Sequence, residues 1–506
     1  MEKRRKRIRV NLWIALLIVG VIGYGLFVWK VQVGAGDEDV VQLKEGCTVA
    51  DIQRALNRNS VSQRMHLTVK IPAGTYSLDK TLYVYSNTTV LVDENATFVL
   101  TSDKYKVMLS SYNYQYDKGG YEHIQNVEID GGTWDGNGIS GEMIRFIHGK
   151  NITVKNVTIQ NVSGGAHQIT FAGVQNGLIE NCHLGDFKGK YSAVKEAIHL
   201  DVVHSKSLVP GTVTYDDTPN ENIVIRGNTI ENYPRAIGSH SFVKGVYQKN
   251  ITITGNTFRN ISEEAVNIYG YVNCQVTNNT MEEVGTGIRI YTLLPTGKQL
   301  TALSATKVEE VPDSYDIVLK GNDIKSAKKY GIQLYGNQEQ PMKGVTIIGN
   351  TIEKTKDNGI MLYMYSVGNI VKGNQIAEAG NQGIGIYQFS SYNKVRNNQI
   401  KKANSHGIYV ADSKGTLIKG NTISKSGKHG IWLAKDSHYT KIVQNKVVQS
   451  KEIGIGMIDC NGNVITNNTV VGASKFAFYS RRCKKMTYTG NEYKKITGKE
   501  EYIVTE

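Results

Sequence analysis

Between residues 196 and 201 the chain reads Glu196-Ala197-Ile198-His199-Leu200-Asp201, with apolar Ile198 and Leu200 alternating with His199 and Asp201. In an extended strand this sends the aliphatic pair to one face and the imidazole and carboxylate to the other. Asp216-Asp217 follow, then Arg235, His240 and Arg289, while Arg145 precedes them. Asp201 paired with Asp216, or with Asp217 in its place, supplies the two carboxylates of glycoside hydrolysis, one as acid and one activating water. His240 can position or shuttle a proton. Arg145, Arg235 and Arg289, with His199 on the same face, can hold an acidic sugar. The same set permits another reaction, in which His240 or Lys244 removes the C5 proton of a uronate and Arg235 or Arg289 neutralises its carboxylate. Asp216-Asp217-Thr218-Pro219 also reads as a plain turn.

A second pattern is aromatic. Tyr269, Tyr291, Tyr335, Tyr363, Tyr387, Tyr409 and Trp432 fall at comparable points of successive segments, alternating with apolar residues in Ile332-Gln333-Leu334-Tyr335 and Ile360-Met361-Leu362-Tyr363. Alternation turns these rings outward, where their faces can stack on sugars. An exterior ladder that only stabilises neighbouring strands would look the same.

These residues must be held by something repetitive, because the chain itself repeats. Asn followed two residues later by an apolar residue recurs at Asn228, Asn256, Asn279 and Asn322. It continues at Asn350, Asn374, Asn398, Asn421, Asn445, Asn468 and Asn491, the last seven spaced 23–24 residues apart. Each repeat holds short alternating runs of strand length and none of helical spacing. Three strands and three turns fill such a repeat, and stacking the coils gives an all-β, right-handed parallel β-helix. The recurrent Asn then stack inside a turn. Groups on neighbouring coils lie about 5 Å apart and groups two coils apart about 10 Å, so paired carboxylates can meet either the retaining or the inverting spacing.

The expected organisation is a cap and first coils over 46–125 and the β-helix over 126–490, with insertions near 185–222 and 291–316 and a tail over 491–506. Val49 to Leu56 has apolar residues at 49, 52, 55 and 56, an amphipathic helix able to plug the open end. Ahead of it lie a basic tail (1–9), an apolar run from Val10 to Trp29 and a linker (30–45). Twenty uncharged residues make a helix of about 30 Å, enough to span a membrane once. The Lys/Arg cluster keeps the N-terminus cytoplasmic and the bulk outside, so the expected location is the cell membrane. Cleavage near Val33-Gly34-Ala35 would instead release the chain as a secreted protein.

The net charge is +14, of which the first nine residues supply +5, and the remainder favours an acidic polymer. Five scattered Cys without a CxxC pair exclude a disulfide scaffold or a zinc ribbon. No phosphate-binding or dinucleotide motif occurs in a usable context, and nucleic acid is not an expected partner.

Ile129-Asp130-Gly131-Gly132-Thr133-Trp134-Asp135-Gly136-Asn137-Gly138, the helix followed by Ile71-Pro72-Ala73-Gly74-Thr75-Tyr76, and Asn151-Ile152-Thr153-Val154-Lys155-Asn156 resemble the pectin-lyase-like superfamily. They look most like its polygalacturonase-type glycosidases and related extracellular polysaccharide-processing proteins. Those enzymes carry N-x-D, D-D, G-H-G and R-I-K in order. This chain has Leu200-Asp201, Asp216-Asp217, Gly238-Ser239-His240 and Arg289-Ile290-Tyr291, with His199 in place of the Asn and Tyr291 in place of the Lys. The resemblance implies a glycoside hydrolase acting on an acidic, cell-envelope or exopolysaccharide. A uronate lyase or C5-epimerase, or a non-catalytic glycan-binding rod, are the other activities of this fold. No cofactor is required by the sequence. A lyase would allow a divalent cation such as calcium, and oligomeric state is left open.

Overall fold

The computed structural model describes residues 38–505 apart from 61–64, 105–106, 113, 140, 165–166, 191–194 and 293–298. The expected basic tail, membrane span and first part of the linker therefore lie outside the described residues. Among the described residues, no helix is long and apolar enough to cross a membrane.

Most coils contribute three short strands, and among the described residues the strands of the coils pair in parallel with their equivalents one coil away. Among the described residues the strands form one sheet of 31 and another of 16. The larger sheet joins two faces, because Glu142–Lys155 and Ile169–Glu180 run round a corner and belong to both. The inward positions, such as Ile144, Ile169, Ile198, Ile237, Val266, Ile288 and Ile332, form a continuous aliphatic core. Ile169, Ile198, Ile237, Val266, Ile288 and Ile332 are also successive ladder partners, so a one-residue slip would put polar side chains inside.

The recurrent Asn are buried and stacked, as expected. Asn374 donates from Nδ2 to Asn398 Oδ1 at 2.9 Å and to the Ile347 carbonyl at 3.0 Å, while its backbone N–H donates to the same Asn398 oxygen. The unit repeats from Asn228 to Asn491 and satisfies turn groups that have no strand partner. A second Asn column lies outside. Asn126, Asn151, Asn176 and Asn222 take φ of 54–58°, where Asn is tolerated, and each of the last three donates from Nδ2 to the Oδ1 of the one before it.

The Val49–Leu56 helix is present and closed by a capping box between Thr48 and Asp51. Its Ile52, Ala55 and Leu56 are buried against the first coil. Two boundaries differ from expectation. Glu38–Gln42, inside the expected linker, is a strand paired to His66–Ile71, because Val41 and Leu43 gain apolar cover there. Glu492–Lys494 and Lys499–Val504, inside the expected tail, pair with the preceding coil and complete one more turn.

The 185–222 stretch is not a single insertion. Glu196–Asp201 is a regular ladder strand between Ile169–Glu180 and Arg235–Gly238, and the extra length sits in the turns on either side. The second insertion returns over the neighbouring coils. Gln299–Leu300 pairs with Phe242–Val243, and Leu300 and Ala302 pack on Val202, Val243 and Val246.

Candidate functional site

Arg145, Thr170, His199, Gly238, Asn267 and Arg289 are successive ladder partners, one per coil, on the outer side of one face. A second column starts each strand, with Glu196 opposite Arg235 and Glu264 opposite Thr286. The sequence reading of direction is correct. The expectation of an exposed face is not: Glu196, Asp201, His199 and Arg235 are all buried. Long turns cover these strand ends, as where Ser241 bonds Asp201 and Val202 packs on Val243.

Two arginines and two carboxylates organise the patch. Arg235 donates to Glu196 Oε1 and to Glu264 Oε2, both at 2.7 Å. Arg289 pairs with the other oxygen of Glu264 and donates from Nε to Asn267 Oδ1. His240 donates from Nδ1 to Glu196 Oε2 at 3.0 Å. Burial alone would raise Glu196, but His240 and Arg235 outweigh it and hold the carboxyl well below its usual range. Burial would lower His240, and Glu196 overcomes it and raises the imidazole.

Asp201 stands apart from these pairs. Its Oδ1 accepts from Ser241 Oγ at 2.6 Å and from the Val202 N–H at 2.8 Å. Its Oδ2 has no hydrogen-bond partner and lies 3.6 Å from His199 Nε2, which has none either. Burial raises the Asp201 carboxyl, and His240 and Ser241 offset only part of that. Burial and the neighbouring His167 and His240 hold His199 well below its ordinary value, so it stays neutral. Its ring is sandwiched between those of His167 at 4.1 Å and His240 at 4.5 Å.

The structure thus joins His199, Asp201, Arg235, His240 and Arg289. It does not add Arg145, which pairs with Glu142 and lies against the Tyr114 ring under the neighbouring turn. Lys244 is largely exposed beside Glu339. Nor do Asp216 and Asp217 pair with Asp201. Asp216 accepts from His148 Nε2 at 3.0 Å, the Gly120 N–H at 2.7 Å and the Thr218 N–H at 3.0 Å. Asp217 accepts from His204 and Thr306 side chains and the Leu303 N–H. With three donors each, both carboxylates are engaged in fastening loops to coils.

Arg235 is also reassigned. A guanidinium shared by two buried carboxylates holds the patch together and offers little to a ligand. Glu196, Glu264 and His167 were missed. The signal was present in Glu196-Ala197-Ile198, Arg235-Ala236-Ile237 and Glu264-Ala265-Val266, where opposite charges recur at one repeat position.

Tyr269, Tyr291, Tyr335 and Tyr363 are in register on this same face. Tyr269 and Tyr291 are buried, stacked 4.1 Å apart with Tyr269 against Phe242. Tyr335, Tyr363 and Tyr387 are half-exposed, with centroids 5.0 and 6.2 Å apart along the rod. Tyr409 and Trp432 continue the row.

The right handed beta helix region, as a family model, matches residues 218–376, 304–447 and 343–499. The chain belongs to this family. The coil is therefore the right-handed parallel β-helix expected from the repeat. Among solved structures, this β-helix is similar to a tailspike protein mutant of E. coli bacteriophage HK620 in complex with pentasaccharide. That match has 13% identity and a TM-score of 0.54, covering 88% of this chain and 76% of that one. It is also similar to the A-module of Azotobacter vinelandii mannuronan C-5 epimerase AlgE4, at 15% identity and TM-score 0.41 over 79% of this chain and 90% of that one. PfbA, a surface adhesin of Streptococcus pneumoniae, has 17% identity and TM-score 0.40 over 90% and 89%. No curated protein sequence matches significantly.

Proposed function

We propose that this β-helix is a membrane-anchored, extracytoplasmic enzyme that processes an acidic polysaccharide, with hydrolysis of a glycosidic bond as its reaction. The observation that carries the reading is Asp201, a carboxylate on the outer side of the ladder with one oxygen held by Ser241 and the other without a partner. Buried polar atoms are nearly always paired, and the exceptions gather where a ligand or a reaction uses them. Asp201, fully covered by the turn that carries Ser241, would exchange a proton with the sugar once that turn moves aside, and Arg289, part-exposed at the edge of the patch, would meet its acidic substituent.

Two features of the rod support a long substrate. Half-exposed Tyr335, Tyr363 and Tyr387 extend the same face, giving apolar surfaces for sugar C–H faces. On the neighbouring face a groove of about 560 Å³ is lined by Lys372, Arg396 and Lys419 together with Ile370 and Leu417. A fold shared with a tailspike described in complex with pentasaccharide is in keeping with a glycan lying along the coils. The basic tail and apolar run of residues 1–29 support the anchor. Product analysis on acidic polysaccharides tests the reaction. New reducing ends without unsaturated-uronate absorbance mean hydrolysis, the absorbance means elimination, and binding without any product means a glycan-binding rod.

A further inference from the structure

Four side chains of the patch converge more tightly than glycan recognition requires. His167, Glu196, His199 and His240 each place one donor atom within 4.8 Å of the other three. They come from three consecutive coils, whose spacing is set by the ladder pairs Ile169 to Ile198 and Ile198 to Ile237. Three imidazoles and one carboxylate are the donor types of zinc and its neighbours, whereas calcium wants six to eight oxygens. We propose that His167, Glu196, His199 and His240 form a binding site for a divalent transition metal of the zinc type.

The surroundings are those of a supported ligand set. His167 directs Nδ1 at the Glu196 carbonyl oxygen, 2.8 Å away. With that nitrogen protonated, Nε2 keeps its lone pair, the arrangement by which metal-bound histidines are held in one tautomer. Arg235 grips Oε1 of Glu196 and leaves Oε2 facing His240, whose Nδ1 lies 3.0 Å away. His199 lies between the other two rings, 2% exposed, with Nε2 unpartnered. Two buried imidazoles and a third at the open edge around one buried carboxylate are a costly way to fill space, since an unpaired polar atom such as His199 Nε2 is penalised. Tetrahedral donors at about 2.0–2.1 Å from a metal sit about 3.3 Å apart, so closing the set takes side-chain shifts of about 1 Å. The site is independent of the glycan reading, because its test measures metal alone.

The full-length chain, stripped with chelator, is titrated with cobalt(II) and then with competing zinc(II). The expected result is one equivalent of cobalt with the visible bands of low-coordinate cobalt, displaced by zinc. His240→Gln, altered at the open edge of the set, and the double variant His167→Gln/His199→Gln should each weaken uptake at least about 100-fold. His183→Gln, half-exposed on another face, should bind as the parent does. Far-ultraviolet circular dichroism establishes that each variant folds, and His240→Gln carries the test if the double variant does not. Absence of stoichiometric cobalt in the parent, or parental uptake by a folded His240→Gln chain, overturns the proposal.

Discussion

Oδ2 of Asp201 and Nε2 of His199 face each other across 3.6 Å, and neither atom holds a hydrogen bond. The two residues are separated by one inward Leu200, so the strand itself presents them side by side. Beside them Glu196 and Glu264 are tied to Arg235 and Arg289.

Asp201→Asn keeps the Oδ1 acceptor for Ser241 and the Val202 N–H, and should cost about 1 kcal/mol of stability. Turnover should fall about 10²–10⁴-fold, as for a lost general acid or base. Denaturation midpoints and initial rates on the same preparation separate the two effects. A folded variant with parental turnover would remove Asp201 from the reaction.

Arg235→Ala should behave quite differently. It strips the shared cation from buried Glu196 and Glu264, and breaking such a pair costs about 3–5 kcal/mol. A large drop in the urea midpoint is expected. Loss of substrate affinity at unchanged stability would instead restore Arg235 as a binding residue.

His148 predicts the pH dependence of stability. Its Nδ1 lies 2.5 Å from Asp117 Oδ2 and its Nε2 3.0 Å from Asp216 Oδ1, with His123 also near Asp117. Burial opposes protonation of His148, but the two aspartates overcome it and raise it from 6.5 to about 9. A raised pKa stabilises fully below the unfolded value, so the contribution, on the order of 3 kcal/mol, is present below about pH 6.5 and lost as pH rises through about 9. Both aspartates are held below their ordinary value of 3.8 despite burial, so their contribution is lost in acid. His148→Gln should flatten the alkaline limb of a midpoint-against-pH curve. An unchanged limb would show that His148 does not carry the charge.

Tyr363→Ala should leave the coil intact, since the ring is half-exposed at the outside of the ladder. A several-fold rise in KM with little change in kcat is expected for long chains, as uniform binding is removed. Equal effects on short and long substrates would make the row a strand-stabilising ladder only.

The repeat was legible because its two periods are local. Alternation within strands set which side of each residue faces the core, and the 23–24-residue Asn spacing set the coil. Cover was not legible, because it comes from chain far away. His148 reaches Asp216 over 68 residues and Thr306 reaches Asp217 over 89. Hence Asp216, or Asp217 in its place, reads as the partner carboxylate of Asp201 although three donors hold each of them to loops and coils. Glu38–Gln42 read as linker for a similar reason, its pairing with His66–Ile71 being visible only once the helix folds back.

The central claim is tested most directly by product analysis of the full-length chain and Asp201→Asn on a panel of acidic polysaccharides. The parent is expected to release new reducing ends without unsaturated-uronate absorbance on at least one of them, and the folded variant to bind this substrate still but release about 10²–10⁴-fold less. Tight binding by the parent with no product on any polymer it retains, or equal product from the folded variant, would contradict it.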